Sequence, residues 1–263
     1  MSPAETPPSR KLVYAILIAI AAGSAAGRIC ATSRVYEPEL AREDSNPADR
    51  RGKWPSKRPA PVPTFSSNDR SRWATVEALV DEGTYVIGRR DKSKIVASAV
   101  SALAGADPFQ EAALAVASYQ TRITADSGII FQDGWQSVDK VLNPQTLEYY
   151  SSKPPLLSTL IAGIYWVLQK LFGWTLTSQP FVVVRTTLLI VNLVPFVVYL
   201  MLLVRLLERY ALSEWTRYVV LASACFATLV TPFLITLNNH TIATFCVVFA
   251  LVPVTALLEW PWN

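Results

Sequence analysis

Residues 155–260 are almost continuously apolar, and no other feature restricts the fold so strongly. A helix that crosses the hydrocarbon of a bilayer needs about 20 mainly apolar residues, so this block has room for several crossings. The stretch before it, 31–150, is polar and charged. The 263 residues together are 51% hydrophobic with mean hydropathy +0.29. That average is high for a soluble protein and low for a bundle of spans alone. The chain therefore reads as a membrane protein carrying one large extramembrane segment.

Four segments compete as spans within the apolar block: 155–173, 180–204, 218–237 and 241–258. The first has an uninterrupted low-polarity core of only about a dozen residues before Gln169-Lys170, a length that favours an interfacial or re-entrant helix. The second holds 17 Leu, Ile, Val and Phe residues between Phe181 and Val204. At roughly −0.3 to −0.6 kcal/mol each, they outweigh the ~+3 kcal/mol of Arg185.

Ahead of these, "RKLVYAILIAIAAGSAAGR" (10–28) opens with two cations and stays apolar to Ala26. Two readings stand: a first transmembrane helix with its N-terminus inside, or a signal peptide cleaved near "GSAA". The loop 205–217 carries Arg205, Arg209 and Arg217 and is short enough to obey the positive-inside rule. A helix 10–28 that exits, a 155–173 helix that lies on the outer surface and a 180–204 span that returns put both charge clusters inside. This layout has four spans and one juxtamembrane helix, and it leaves 31–150, "LNNHT" (237–241) and Lys153 on the outer face.

Within the polar half, 31–65 reads as an extended linker, with polyproline II geometry at 59–63. Ser, Asn and Asp then precede a helical pattern over 66–87. Trp73, Val76, Leu79 and Val80 share a face and Gly83 stops it, which predicts a short amphipathic helix against a membrane or domain surface. Residues 94–121 predict two short Ala-rich helices. The strand character of 127–152 around "NPQT" predicts a small hairpin.

The net charge of +4 is modest, and basic and aromatic residues do not alternate as in a single-strand nucleic-acid binder. The basic stretch 50–58 suits a solvated linker or contact with anionic head groups. The three cysteines, Cys30, Cys225 and Cys246, form no CxxC and have no zinc spacing with the single His240. No ligand cluster argues for a cofactor, divalent metals included.

"NDRSRWATVEALVDEGTYVI" followed by "YYSSKPPLLSTLIAGIYWVLQKLFGW" resembles the GT-C membrane glycosyltransferases, specifically the protein O-mannosyltransferase and aminoarabinose transferase (glycosyltransferase 39-like) group. The likeness rests on Asp69 at a helix start, Lys153-Pro154-Pro155-Leu156, Leu171-Phe172-Gly173 and Arg185, and covers about 66–90 and 145–260. The chain departs from the pattern in three ways. Asn68-Asp69 stands where the family often has two acidic residues, 91–126 reads as an insertion, and the family has many more spans. The resemblance thus implies the N-terminal part of a larger enzyme. It implies a mainly α, polytopic GT-C-type protein with an anchor at 1–29, an external loop region at 30–154, a juxtamembrane helix at 155–174 and a three-span bundle at 175–263.

The implied reaction moves a sugar from a polyprenyl-phosphate-linked donor to an acceptor on the external face of the cytoplasmic membrane. The partners are membrane lipids and that donor, with no nucleic acid. Asp69 is the candidate base, and an Asp at a helix start is equally suited to capping. Lys153 is the candidate cation for the leaving phosphate, held out of helical geometry by the prolines; the plainer alternative is a snorkelling lysine before a proline-started helix. Arg185 either binds the donor phosphate or snorkels outward, and His240 is either near the site or structural. Glu77 and Asp133 are further acidic candidates. The alternative from another class is a non-catalytic membrane protein that anchors an external domain or binds lipid-linked sugar.

Overall fold

A computed structural model describes residues 7–35, 60–90, 126–132 and 134–259. The two helices expected within 94–121, the basic stretch 50–58 and Asp133 lie outside the described residues. The chain divides into two units, residues 1–32 with 177–263, and residues 33–176. The protein is mainly α, with several long apolar helices and one small antiparallel sheet, as a polytopic membrane protein requires.

The first unit is a helical bundle. Helix α1 (Pro8–Ala31) starts at a proline and packs Tyr14, Ala21 and Ala25 into the core. Residues Pro180–Tyr210 form one continuous rod. Its parts are α4 (Pro180–Leu188), a π-helical turn (Leu189–Leu193) and α5 (Val194–Tyr210). Pro195 lacks an N–H and would interrupt a regular helix; the wider turn just before it accommodates the gap, with Val194 N–H bonding to the Leu189 carbonyl.

Helix α6 (Glu214–Phe226) is capped by Ser213, whose Oγ accepts the Thr216 N–H at 3.1 Å. It is followed by a single turn, α7 (Val230–Phe233), and then by α8 (Asn239–Leu258). The sequence predicted one span over 218–237; the structure breaks that helix at 227–229 and leaves 234–238 non-helical. Five helical stretches are long and apolar enough to cross a membrane. They are Pro8–Ala31, Pro155–Phe172, Pro180–Tyr210, Glu214–Phe233 and Asn239–Leu258.

The buried coil at 234–238 has its backbone satisfied by two asparagines. Asn192, in the π turn and fully buried, donates from Nδ2 to the carbonyls of Leu234 at 2.8 Å and Thr236 at 3.0 Å. Asn238 donates to Phe233 O at 2.8 Å, and its Oδ1 accepts the His240 and Thr241 N–H groups that open α8.

The opposite end of this bundle holds its charge pairs. Glu208 lies 2.9 Å from Arg10 and 3.7 Å from Arg217, and it accepts the Tyr14 hydroxyl at 2.6 Å. Arg10 also reaches Glu214 at 2.6 Å, and Arg209 pairs with Glu259. The start of α1, the end of α5 and the start of α6 therefore meet at one end.

The second unit is built around α2 (Ser67–Glu77), which runs into a π-helical turn (Ala78–Glu82) and stops at Gly83 in the left-handed region, φ 67°. The expectation of an amphipathic surface helix is corrected here. Every residue from Asp69 to Ala78 is buried, Arg70, Arg72 and Glu77 included. A helix this polar can be buried all round because its side chains bond to neighbouring loops instead of to water.

The predicted hairpin is present as β2 (Lys140–Leu142) and β3 (Glu148–Ser151), with a third strand, β1 (Gly88–Arg89), on the far side of β3. Gly128, φ 107°, sits against Gly88, where a Cβ would come within 2.6 Å of the Gly88 Cα. Helix α3 (Pro155–Phe172) completes the unit, opened by Pro155 and closed by left-handed Gly173. Leu157, Ile161, Tyr165 and Leu168 are buried along one face, while Leu156, Leu160, Val167 and Leu171 are exposed along another. The Tyr165 hydroxyl donates to Asp81 at 3.1 Å and accepts the Leu176 N–H at 3.1 Å, which ties the end of α3 to the turn after α2.

Candidate functional site

The start of α2 is braced from both directions. Ser66 is the N-cap, and its Oγ accepts the Asp69 N–H at 3.3 Å. Asp69, three residues on, reaches back so that its Oδ2 accepts the Phe65 N–H at 3.0 Å. This is a near relative of the reciprocal capping box. The cap itself is thus Ser66, with Asp69 in the first turn, where its charge also faces the positive end of the helix dipole. Asp69 is 1% exposed.

One face of α2 then meets the loop 136–139. Ser67 Oγ accepts the Val138 N–H at 2.9 Å and the Asp139 N–H at 3.3 Å. Arg70 Nε donates to Gln136 O at 2.7 Å, and Ser71 Oγ donates to Asp139 O at 2.6 Å. The loop is held by backbone contacts that need short hydroxyl side chains at positions 67 and 71, one helical turn apart.

Lys153 enters this web from the other side. Its Nζ lies 2.7 Å from Asp139 Oδ1, with 22% and 23% of the two side chains exposed. Its own N–H donates to Ser151 Oγ, which in turn hydrogen-bonds Ser71 Oγ at 2.7 Å. Pro154 and Pro155 follow at once. Pro154 keeps Lys153 out of helical geometry, and Pro155 supplies the first residue of α3. The turn that starts the apolar helix is the same turn that sets the ammonium on Asp139.

Charge follows from this packing. Burial pushes the Asp139 carboxyl up, but hydrogen bonds from Lys153 and Ser67 and the charges of Lys153 and Arg72 outweigh it, so the group sits below its ordinary value. Burial lowers the Arg72 guanidinium, and Asp69 and Asp139 only partly offset that. Arg72 also donates to the Asn68 side chain. Two carboxylates and two cations, Asp69, Asp139, Arg72 and Lys153, thus act on one another around the first turn of α2. The ion pair of Lys153 is with Asp139, not Asp69.

Arg185 and His240 belong to the other unit. Arg185, in α4, donates from Nη2 to the Thr32 carbonyl at 3.3 Å, and its guanidinium carbon lies 4.7 Å from the centre of the Phe181 ring. His240 is exposed in the first turn of α8, with its ring centre 5.6 Å from that of Phe233. Glu77 is buried in the last turn of α2. Among the described residues, no group of three or more His, Cys, Asp or Glu is arranged to hold a metal ion.

Sequence reasoning missed Asp139 and Asn192. Asp139 sits in a stretch that reads as strand and turn, and its partner is fixed only by tertiary packing. Asn192 did carry a signal: a lone amide in a long apolar run must find partners or lose several kcal/mol, roughly 2–7 by transfer measurements. The chain matches no family model, no curated protein and no solved structure.

Proposed function

We propose that this protein is a GT-C-like membrane glycosyltransferase that takes a sugar from a polyprenyl-phosphate-linked donor. The observation that carries the reading is the web joining Asp69, Arg72, Asp139 and Lys153 at the foot of α3. That helix carries an exposed apolar face along Leu156, Leu160 and Leu171. A charged cluster next to a lipid-compatible face suits an amphiphile with a phosphorylated head. The motif resemblance at Lys153-Pro154-Pro155-Leu156 and Leu171-Phe172-Gly173 points the same way.

In this mechanism the acceptor hydroxyl or amine attacks the anomeric carbon and its proton passes to Asp69. The anomeric C–O bond breaks, and the electron pair leaves on the polyprenyl phosphate. Lys153 stabilises that charge, with the phosphate taking the place of Asp139 at the ammonium. Arg185 and His240 lie in the other unit and are assigned no role in this step.

The orientation follows from charge. The basic start of α1 and the arginine-bearing stretch 205–217, which the structure makes the end of α5, a link at 211–213 and the start of α6, meet at one end of the bundle, which the positive-inside rule puts in the cytoplasm. Thr32 and Arg185 touch, so the chain leaves the bundle and returns to it at the other end. An even number of crossings lies between them. Among the described residues in that interval, only α3 is long and apolar enough to cross. In the proposed layout α3 lies along the outer surface of the cytoplasmic membrane and region 30–154 is outside.

A second reading, a non-catalytic scaffold that binds lipid-linked sugar, is favoured by the burial of Asp69 and its bond to the Phe65 N–H. The two readings separate in membranes supplied with radiolabelled polyprenyl-phosphate-linked hexose or pentose. Enzymatic transfer predicts labelled acceptor with the native protein and a loss of about 10²–10⁴-fold in Asp69→Asn at unchanged folded yield. Transfer by Asp69→Asn at the native rate leaves that carboxylate a helix brace. No transfer by the native protein selects the scaffold.

A further inference from the structure

The backbone of Asp139 is pinned from both sides. Its N–H is shared between Ser137 Oγ at 3.1 Å and Ser67 Oγ at 3.3 Å. Its carbonyl accepts the Ser71 hydroxyl at 2.6 Å and the Ser152 N–H at 3.2 Å. Lys153 is fixed in the same manner, by its own N–H on Ser151 Oγ at 3.2 Å and by Pro154 behind it. These bonds hold the two backbones in place whether or not the side chains touch.

The side chains meet nonetheless, at 2.7 Å, and among the described residues Asp139 is the one ion-pair partner of Lys153. About a fifth of each side chain is exposed, so an anion from outside can reach the pair. An ammonium is a compact point charge with three rotatable donors and no preference for one kind of anionic oxygen. A carboxylate and a phosphate are therefore rivals for it. The Asp139 carboxylate can turn about its own side-chain bonds and leave the four backbone contacts intact.

We infer that Asp139 is an internal competitor for the anion site: it holds the ammonium of Lys153 while the site is empty and must turn aside before a phosphate can bind there. The inference rests on the reading of Lys153 as the phosphate's cation and adds the residue that regulates it. The Lys153–Asp139 pair is broken in the donor complex and in the transition state alike, so its loss weakens both by the same factor. Asp139 thus raises the donor KM and leaves kcat as it is.

The test is binding of polyprenyl monophosphate to the full chain in detergent, with no sugar or acceptor present. D139N is expected to bind it roughly 5–10-fold more tightly than the native protein, because no ion pair has to be broken first. D139E, which restores the carboxylate, is expected to return to near the native affinity, and K153Q to bind more weakly. A purely structural Asp139 predicts the opposite for D139N: a less stable protein with unchanged or weaker binding. The native protein offers a second readout, free of any effect on folding. Carbodiimide labelling of the Asp139 carboxyl, read by mass spectrometry, should speed up when polyprenyl monophosphate is added. If K153Q binds weakly but D139N binds no more tightly, or if labelling of Asp139 does not respond to the ligand, the competitor role is overturned and Lys153 keeps its assignment. If the native protein does not bind the probe, or K153Q binds it equally well, the reading of Lys153 fails and the competitor role falls with it.

Discussion

Asp139 is where residue chemistry and fold meet most closely in the extramembrane unit. Its folded-state value lies below that of an unfolded carboxyl, about 3.9. Such a group adds stability that is fully present above the unfolded value and is lost as pH falls through the folded one. Asp139→Asn removes the negative charge that faces Lys153 and at neutral pH should cost about 1–3 kcal/mol. Thermal unfolding in detergent at pH 7 and at successively lower pH checks this. The gap between native protein and variant should be widest at pH 7 and close below about pH 4. Equal melting temperatures at pH 7 would mean that the Lys153–Asp139 contact contributes nothing net.

At the scale of elements, the long apolar helices were legible because their signal is local: length, hydropathy and flanking charge. The ends of α3 were legible for the same reason, since Pro155 and Gly173 are punctuation that acts within a turn. The surroundings of α2 were not. Its helical pattern identified the helix, but Ser67, Arg70 and Ser71 find their partners about 70 residues away, and no periodicity encodes that. The strand β1 has two residues and is held between the edge of β3 and Ser127, neither of which is near it in sequence.

The break before α8 was also hidden, because apolar residues fill 234–237 whether or not the backbone is helical. Asn192 is what makes that break affordable. Asn192→Leu leaves the Leu234 carbonyl without its side-chain donor, while Thr236 keeps the amide of Asn238. The expected loss is about 1–3 kcal/mol, read as a lower melting temperature and faster proteolysis in the 234–238 coil. A variant as stable as the native protein would show that the coil does not rely on the π turn for its hydrogen bonds.

For the whole molecule, the candidate residues fall in two separate units. Asp69 and Lys153 share a hydrogen-bonded web in one, and Arg185 and His240 sit in the other. The sequence could rank these residues singly by their chemistry. It could not assign Lys153 its carboxylate, because the pairing depends on how the 136–139 loop folds onto α2. The proposed chemistry depends on sidedness: the proposed layout puts the paired end of the bundle inside and region 30–154 outside.

The most direct measurement is labelling with a membrane-impermeant thiol reagent in intact cells, with Cys30, Cys225 and Cys246 replaced and one cysteine introduced at a time. Leu212 lies fully exposed in the link between α5 and α6, and Val138 lies exposed beside Asp139. The account predicts that Val138→Cys labels in intact cells and Leu212→Cys labels only after permeabilisation. Labelling of both in intact cells, or of Leu212→Cys alone, would contradict it.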